Sequence, residues 1–199
     1  MIYAVYFLLF AGAFWVVAQV LVGLLKRSYR KYKVAFDARV KELDFIVSKE
    51  VEHDFKALYI DDINKRWIVR DDLHDVAPRV FNYTDILEFE LIVDGYCVVR
   101  SGVGGAIVGG ALLGVQGAIA GGIATSGGGS VCTSMQVVIR LNCLDCPQVV
   151  IRTVWSKTEK NSSDFKAAHS FAQKLMSLLT YIEHNKEVEF EECLKHLEV

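Results

Sequence analysis

The feature that most constrains this chain is an uninterrupted apolar run near its start. From Ile2 to Leu25 no side chain is charged, and Gln19 is the only strongly polar one. At ~1.5 Å per residue a helix over this run is about 36 Å long, enough to cross a hydrocarbon core of roughly 30 Å with some tilt. The run therefore predicts a transmembrane helix over residues 1–25. A cleaved leader is the competing reading, but it calls for a basic segment, a shorter apolar run and a small-residue cleavage site. No basic residue precedes the run here. Lys26, Arg27, Arg30, Lys31 and Lys33 follow it directly, and positive charge beside a span favours the cytoplasmic side. The expected arrangement is a single pass in the cell membrane, N-terminus outside and body cytosolic. The same five cations are candidate ligands for lipid headgroups, at ~1 kcal/mol each near an anionic surface.

Composition narrows the partners. The formal net charge is -2, so the chain has no broad cationic surface of the kind nucleic-acid phosphates require. All five cysteines, Cys97, Cys132, Cys143, Cys146 and Cys193, follow the expected span. A cytosolic body keeps them reduced, where structural disulfides are rare.

Residues 26–53 contain no Gly or Pro and mix charges with Val34, Phe36, Val40, Leu43 and Phe45, which predicts a helical connector. A folded body is expected over 54–185. Leu58 and Ile60, a polar turn at Asp61–Lys65, and Trp67–Val69 predict one hairpin. Ile86 through Val93, then Asp94-Gly95 and Tyr96–Arg100, predict a second, the Asp-Gly pair supplying the positive φ that a tight turn needs. Met135–Leu141 and Val149–Trp155 form a third around Asn142–Pro147. Ser162 or Ser163 is a candidate N-cap for a helix with Phe165, Ala168, Ala172, Leu175, Leu179 and Ile182 on one face. Residues 186–199 predict a short, acidic C-terminal helix.

Hairpins closed by one amphipathic helix resemble the order of elements in pleckstrin-homology-like (PH-like) domains. Tyr83-Thr-Asp-Ile-Leu-Glu-Phe-Glu-Leu91, then Asp94-Gly95 and a Gly/Ala-rich insert, resembles an uncharacterised group of bacterial membrane-anchored proteins with a PH-like or GRAM-like body. Glu189-Phe190-Glu191 with Leu194 and Leu197 is similar to the second half of the SHOCT oligomerisation motif. The resemblance implies a membrane-proximal binding or scaffolding module. It implies no phosphoinositide specificity, since the first hairpin loop carries the acidic Asp61 and Asp62.

The insert, 102–129, lies in a stretch from Ser101 to Ile139 without a charged side chain. Gly105-Ala-Ile-Val-Gly-Gly110 recurs as Gly117-Ala-Ile-Ala-Gly-Gly122. Pairs four apart, Gly105 with Gly109, Gly110 with Gly114 and Gly117 with Gly121, line one helix face and let another backbone approach closely. In water each such Gly costs around 1 kcal/mol relative to Ala, which favours lipid or tight packing. One full span here would split the sheet, and each repeat arm is about half the ~20 residues that a span needs. A short glycine-zipper hairpin remains, inserted in one leaflet, packed on the N-terminal span or meeting copies of itself. A solvated Gly-rich loop is the alternative. No Gly-Lys-Ser/Thr follows, as a phosphate-binding loop needs.

Cys143-Leu-Asp-Cys146 is a lone CxxC with no second pair and no nearby histidine, and reads as a turn. The five histidines have no metal-site spacing. Asp61 with Asp62, and Glu88 with Glu90, read as a solvated turn and an exposed strand face rather than acid/base pairs. The expected fold class is α+β: an N-terminal transmembrane helix, an antiparallel PH-like body with a Gly-rich hairpin insert, and a closing C-terminal helix. The expected function is non-enzymatic, membrane-tethered binding or scaffolding, without cofactor or metal. Membrane lipids, further copies of the chain and an unidentified protein are its expected partners. The alternative is an oligomeric pore built from the zipper hairpins.

Overall fold

The computed structural model describes residues 2–71, 77–101 and 130–197, with side chains at 14–24, 27–71, 77–101 and 130–186. Helix α1 spans Ile2–Glu42. A first antiparallel sheet follows, from β1 (Lys49–His53), β2 (Lys56–Asp61), β3 (Arg66–Arg70) and β4 (Arg79–Asn82), ordered β1-β2-β3-β4. The second sheet uses β5 (Ile86–Val93), β6 (Tyr96–Ser101), β8 (Met135–Leu141) and β9 (Gln148–Val154), ordered β6-β5-β8-β9. Strand β7 (Val131–Cys132), between β6 and β8 in the chain, pairs with β10 (Thr158–Glu159), which follows β9. Helix α2, Ser163–Leu197, closes the body.

The three expected hairpins are present, at β2–β3, β5–β6 and β8–β9. At the β5–β6 turn both Asp94 (φ 51) and Gly95 (φ 85) take positive φ, the combination that matches the twist of a two-residue hairpin. A Cβ added at Gly95 meets nothing within 4 Å, so Gly95→Ala costs backbone strain alone, about 1–2 kcal/mol. A lowered urea midpoint with unchanged slope is the expected result.

Ser162 caps α2, its Oγ accepting from Phe165 N at 3.1 Å. All six stripe residues, Phe165 to Ile182, are buried against both sheets in the main core with Trp67, Phe89 and Ile139. The acidic tail is not a separate helix, because α2 runs unbroken to Leu197. The side chains of Glu189 to Leu197, on which the SHOCT likeness rests, lie outside the described ones.

Two expectations need correction. The connector is helical only to Glu42, and Lys49–His53, expected as helix, is strand β1. Its single core residue, Val51, gave too little apolar signal for the strand period to register. The span over residues 1–25 is unsupported: among the described residues no helix is long and apolar enough to cross a membrane. The side chains before Phe14 and those of Leu25 and Lys26 lie outside the described ones.

The C-terminal half of α1 has a different role from a connector. Phe36 and Val40, with Phe45 just beyond the helix, pack on Ala57, Tyr59 and Ile68, the face of the first sheet that turns away from the main core. Every position of β2 is buried for that reason, where an alternating strand in water would show one wet face.

Candidate functional site

Glu52 on β1 organises the junction between α1 and the body. Its carboxylate receives Tyr29 Oη and Lys33 Nζ from α1, and Arg70 Nη2 from β3 at 2.8 Å. The Tyr29 hydroxyl also sits against the Asp54 carbonyl. Arg70 is buried, donates from Nε to the Phe55 carbonyl at 3.0 Å, and lies 5.4 Å from the Phe36 ring and 5.9 Å from Tyr59. Tyr59 Oη donates to Asp37 at 3.1 Å. Desolvation raises the Glu52 carboxyl pKa, but hydrogen bonds from Lys33 and Tyr29 outweigh it and hold the pKa below the usual value. Burial, with the Glu52 bond behind it, pushes Tyr29 up to about 12. The group is thus a set of charge-assisted bonds that clamps the helix to the sheet.

Beside this junction runs a groove of about 670 Å³ between β1 and α2. Strand β1 is the outer strand of its sheet, and an outer strand carries backbone N–H and C=O groups that its own sheet leaves unpaired. Lys49 and Val51 line one wall, and Ser170, Gln173, Lys174 and Leu178 the other. The lining mixes the charged Lys49, Glu50, Glu52 and Lys174 with the apolar Val51 and Leu178. A second recess, of about 390 Å³, lies at the β1–β2 turn. There the Phe55 and Trp155 rings stack at 5.3 Å, and the Lys56 ammonium lies 4.0 and 3.6 Å from their centroids. Lys56 is only 5% exposed, so its cation is held on the ring faces away from bulk water.

The carboxylates read as solvated turn and strand residues are structural. Asp61 is 0% exposed and accepts from Ile46 N, Asn64 N, Asn64 Nδ2 and Arg66 Nη2 at 2.8–3.2 Å. Desolvation raises its pKa, yet the bonds from Asn64, Arg66 and Ile46 prevail and set it at about 2. Asp62 ties the β2–β3 turn to the body, accepting from Tyr83 Oη at 3.2 Å and Tyr181 Oη at 2.9 Å. Glu90 is buried and paired with Arg100 at 2.7 Å and Arg140 at 3.2 Å. A turn aspartate and a strand glutamate look solvated until the fold brings their cations in from other elements.

Profile comparison adds the decisive observation. The profile of the "glycine zipper containing PH domain" family matches residues 44–154, more than half of the 199 residues. The chain belongs to that family. PH domains are generally binding modules without catalytic activity. No curated protein and no solved structure matches the chain. In this glycine-zipper PH domain the match runs from Asp44, ahead of β1, to the end of β9 and includes the insert, leaving α1, β10 and α2 outside it.

The zipper residues Gly105, Gly109, Gly110, Gly114, Gly117 and Gly121 lie outside the described residues. The segment leaves the PH body at Ser101, whose Oγ hydrogen-bonds the buried Glu183 carboxylate of α2, and rejoins it before β7. Of the five candidate headgroup ligands, Arg27, Arg30 and Lys31 are exposed, while Lys26 lies outside the described side chains. Lys33 is turned to the body, bound to Glu52 and 3.6 Å from Glu50, so its charge serves the junction. Among the described residues no three His, Cys, Asp or Glu side chains form a group able to hold a metal ion. Cys143 and Cys146 lie in the β8–β9 turn, packed on the core edge, with Arg79 Nη1 donating to Cys146 Sγ at 3.5 Å. Sequence reasoning missed the groove and the Glu52 cluster. The dense alternation Lys49-Glu-Val-Glu-His53 was the available signal.

Proposed function

We propose that this glycine-zipper PH domain is a membrane-tethered, non-enzymatic binding or scaffolding protein. In this reading the start of α1 crosses the cell membrane with its N-terminus outside. The body stays cytosolic, and copies associate through the hairpin at 102–129. The observation that carries it is the junction: a helix whose large apolar side chains from Phe14 to Leu24 are exposed among the described residues is clamped to the body by Glu52, Arg70 and Phe36. Free apolar side chains in such a row are costly in water, roughly 25 cal/mol per Å², and a bilayer removes the cost. The groove along β1 is the surface offered to a protein partner.

Two measurements test the two halves. Full-length protein is expected in the membrane pellet after alkaline carbonate extraction; recovery in the supernatant refutes the tether. Native mass in mild detergent is expected to exceed that of one chain and to fall on Gly109→Leu with Gly114→Leu, since leucine side chains block close backbone approach. An unchanged mass refutes association through the zipper.

A further inference from the structure

The place where α1 leaves the body singles out one end of the molecule. From its end at Glu42, just before Asp44, whose carbonyl accepts from Arg66, α1 runs back along β2 to Tyr29 at the β1–β2 turn. Its apolar stretch, ending at Leu24, begins five residues further, at most about 8 Å along the helix. The β1–β2 turn end is therefore the end nearest that stretch.

The same end carries the two most exposed aromatic residues described in the body, Tyr96 and Trp155. Tyr96 pairs with Val93, Val93 with Met135, and Met135 with Val154, so these four residues form one row across the second sheet, about 14 Å wide at ~4.8 Å per strand. Trp155 follows Val154 and stacks on Phe55 of the β1–β2 turn, next to the Asp54 carbonyl that Tyr29 touches. Trp155 is 55% exposed and Tyr96 65% exposed. At the opposite end the exposed apolar residues of the turns, Ile63 and Leu144, are aliphatic, and the less exposed Tyr181 has its hydroxyl engaged by Asp62 at 2.9 Å.

Trp and Tyr favour the headgroup layer, where one part of the ring system meets hydrocarbon and the polar atom stays wet. Charge on the body at this end is mixed, Lys157 and Lys160 standing with Asp54, Asp94 and Glu159, while the exposed cations Arg27, Arg30 and Lys31 belong to α1. We infer that this end is a second, lipid-contacting surface, which seats the Trp155 and Tyr96 rings in the interfacial layer of the bilayer that α1 enters, without dependence on headgroup charge. It rests on the tether reading and deepens it. The body then lies against the membrane instead of swinging below it, with the β1–α2 groove running away from the surface.

The test uses tryptophan emission from the full-length chain in phosphatidylcholine vesicles brominated at shallow or deep acyl positions. The chain holds three tryptophans. Trp67 is fully buried, so a Trp15→Phe chain leaves Trp155 as the reporter open to lipid. The expected result is loss of emission, strongest with the shallow label, that disappears in Trp15→Phe/Trp155→Phe. It returns when Tyr96→Trp is added, which checks the surface independently of Trp155. Vesicle flotation separates the two ideas. Protein that floats with unquenched Trp155 overturns this surface and leaves the tether standing, whereas protein that does not float overturns both. Quenching that requires anionic lipid overturns the aromatic-led contact.

Discussion

Replacing Phe36 with alanine is expected to destabilise the protein by about 3–5 kcal/mol and to free α1 from the sheet. Phe36 is 1% exposed; its ring stacks on Tyr59 at 5.8 Å and lies beneath the Arg70 guanidinium. The cavity cannot close easily, because Arg70 is anchored to Glu52 and to the Phe55 carbonyl, and Tyr59 to Asp37. Truncation therefore removes the transfer free energy of the ring and leaves a void lined by a charged group. Urea denaturation measures the first effect, and hydrogen exchange at Val34–Val40 the second. Backbone amides there should exchange faster than those of β5 and β8 in the variant. A loss below about 1 kcal/mol, with α1 still protected, is the outcome that refutes the packing account. Because the small cluster around Phe36 is separate from the main core, the body's sheets are expected to persist while the helix loses its fixed direction.

Asp61→Ala is the second large effect, expected at about 3 kcal/mol or more, since it strands buried donors and a paired guanidinium. Asp61 holds together the chain entering β1, through Ile46 N, the turn, through Asn64, and β3, through Arg66. Its pKa also gives the effect a pH signature. With about 2 in the folded protein against 3.8 as the ordinary value, the native state binds the proton later than the unfolded chain. The carboxylate's contribution is thus fully present above pH 3.8 and is lost as pH falls through 2. Glu52, Asp62 and Asp94 are depressed in the same sense. Stability should therefore fall steeply on acidification below pH 4. In Asp61→Asn that slope should be shallower and the neutral-pH stability lower. Equal slopes for the two proteins would show that Asp61 is not held ionised by its donors.

Both effects sit where sequence reading was weakest. Residues such as Phe89, Leu91 and Ile139 announced their strands because alternation with one wet face leaves a period of two. The α2 stripe announced itself by helical spacing, and Asp94-Gly95 by the positive φ that few residues tolerate. These signals are local, each carried within a single element or turn. The Glu52 junction is not, since Glu52 draws from residues 29, 33 and 70, and Asp61 joins its near neighbours 64 and 66 to residue 46. Taken alone, Lys33 is one more cation after an apolar run and Glu52 one more charge in a polar strand. Only their meeting makes a clamp.

By itself, then, the sequence determined the three hairpins, the tight turn at Gly95, the buried stripe of α2 and the charge-free glycine repeat, since periodicity and backbone preference act between near neighbours. Tertiary structure alone decided that β1 is a strand, that α1 covers the far face of the first sheet, and that Asp61 and Glu90 are buried with partners. It also decided that the exposed Trp155 and Tyr96 share the end from which α1 departs. Those outcomes depend on which distant surfaces meet, and a charge or aromatic ring acquires its partner, and so its energy, only once they do.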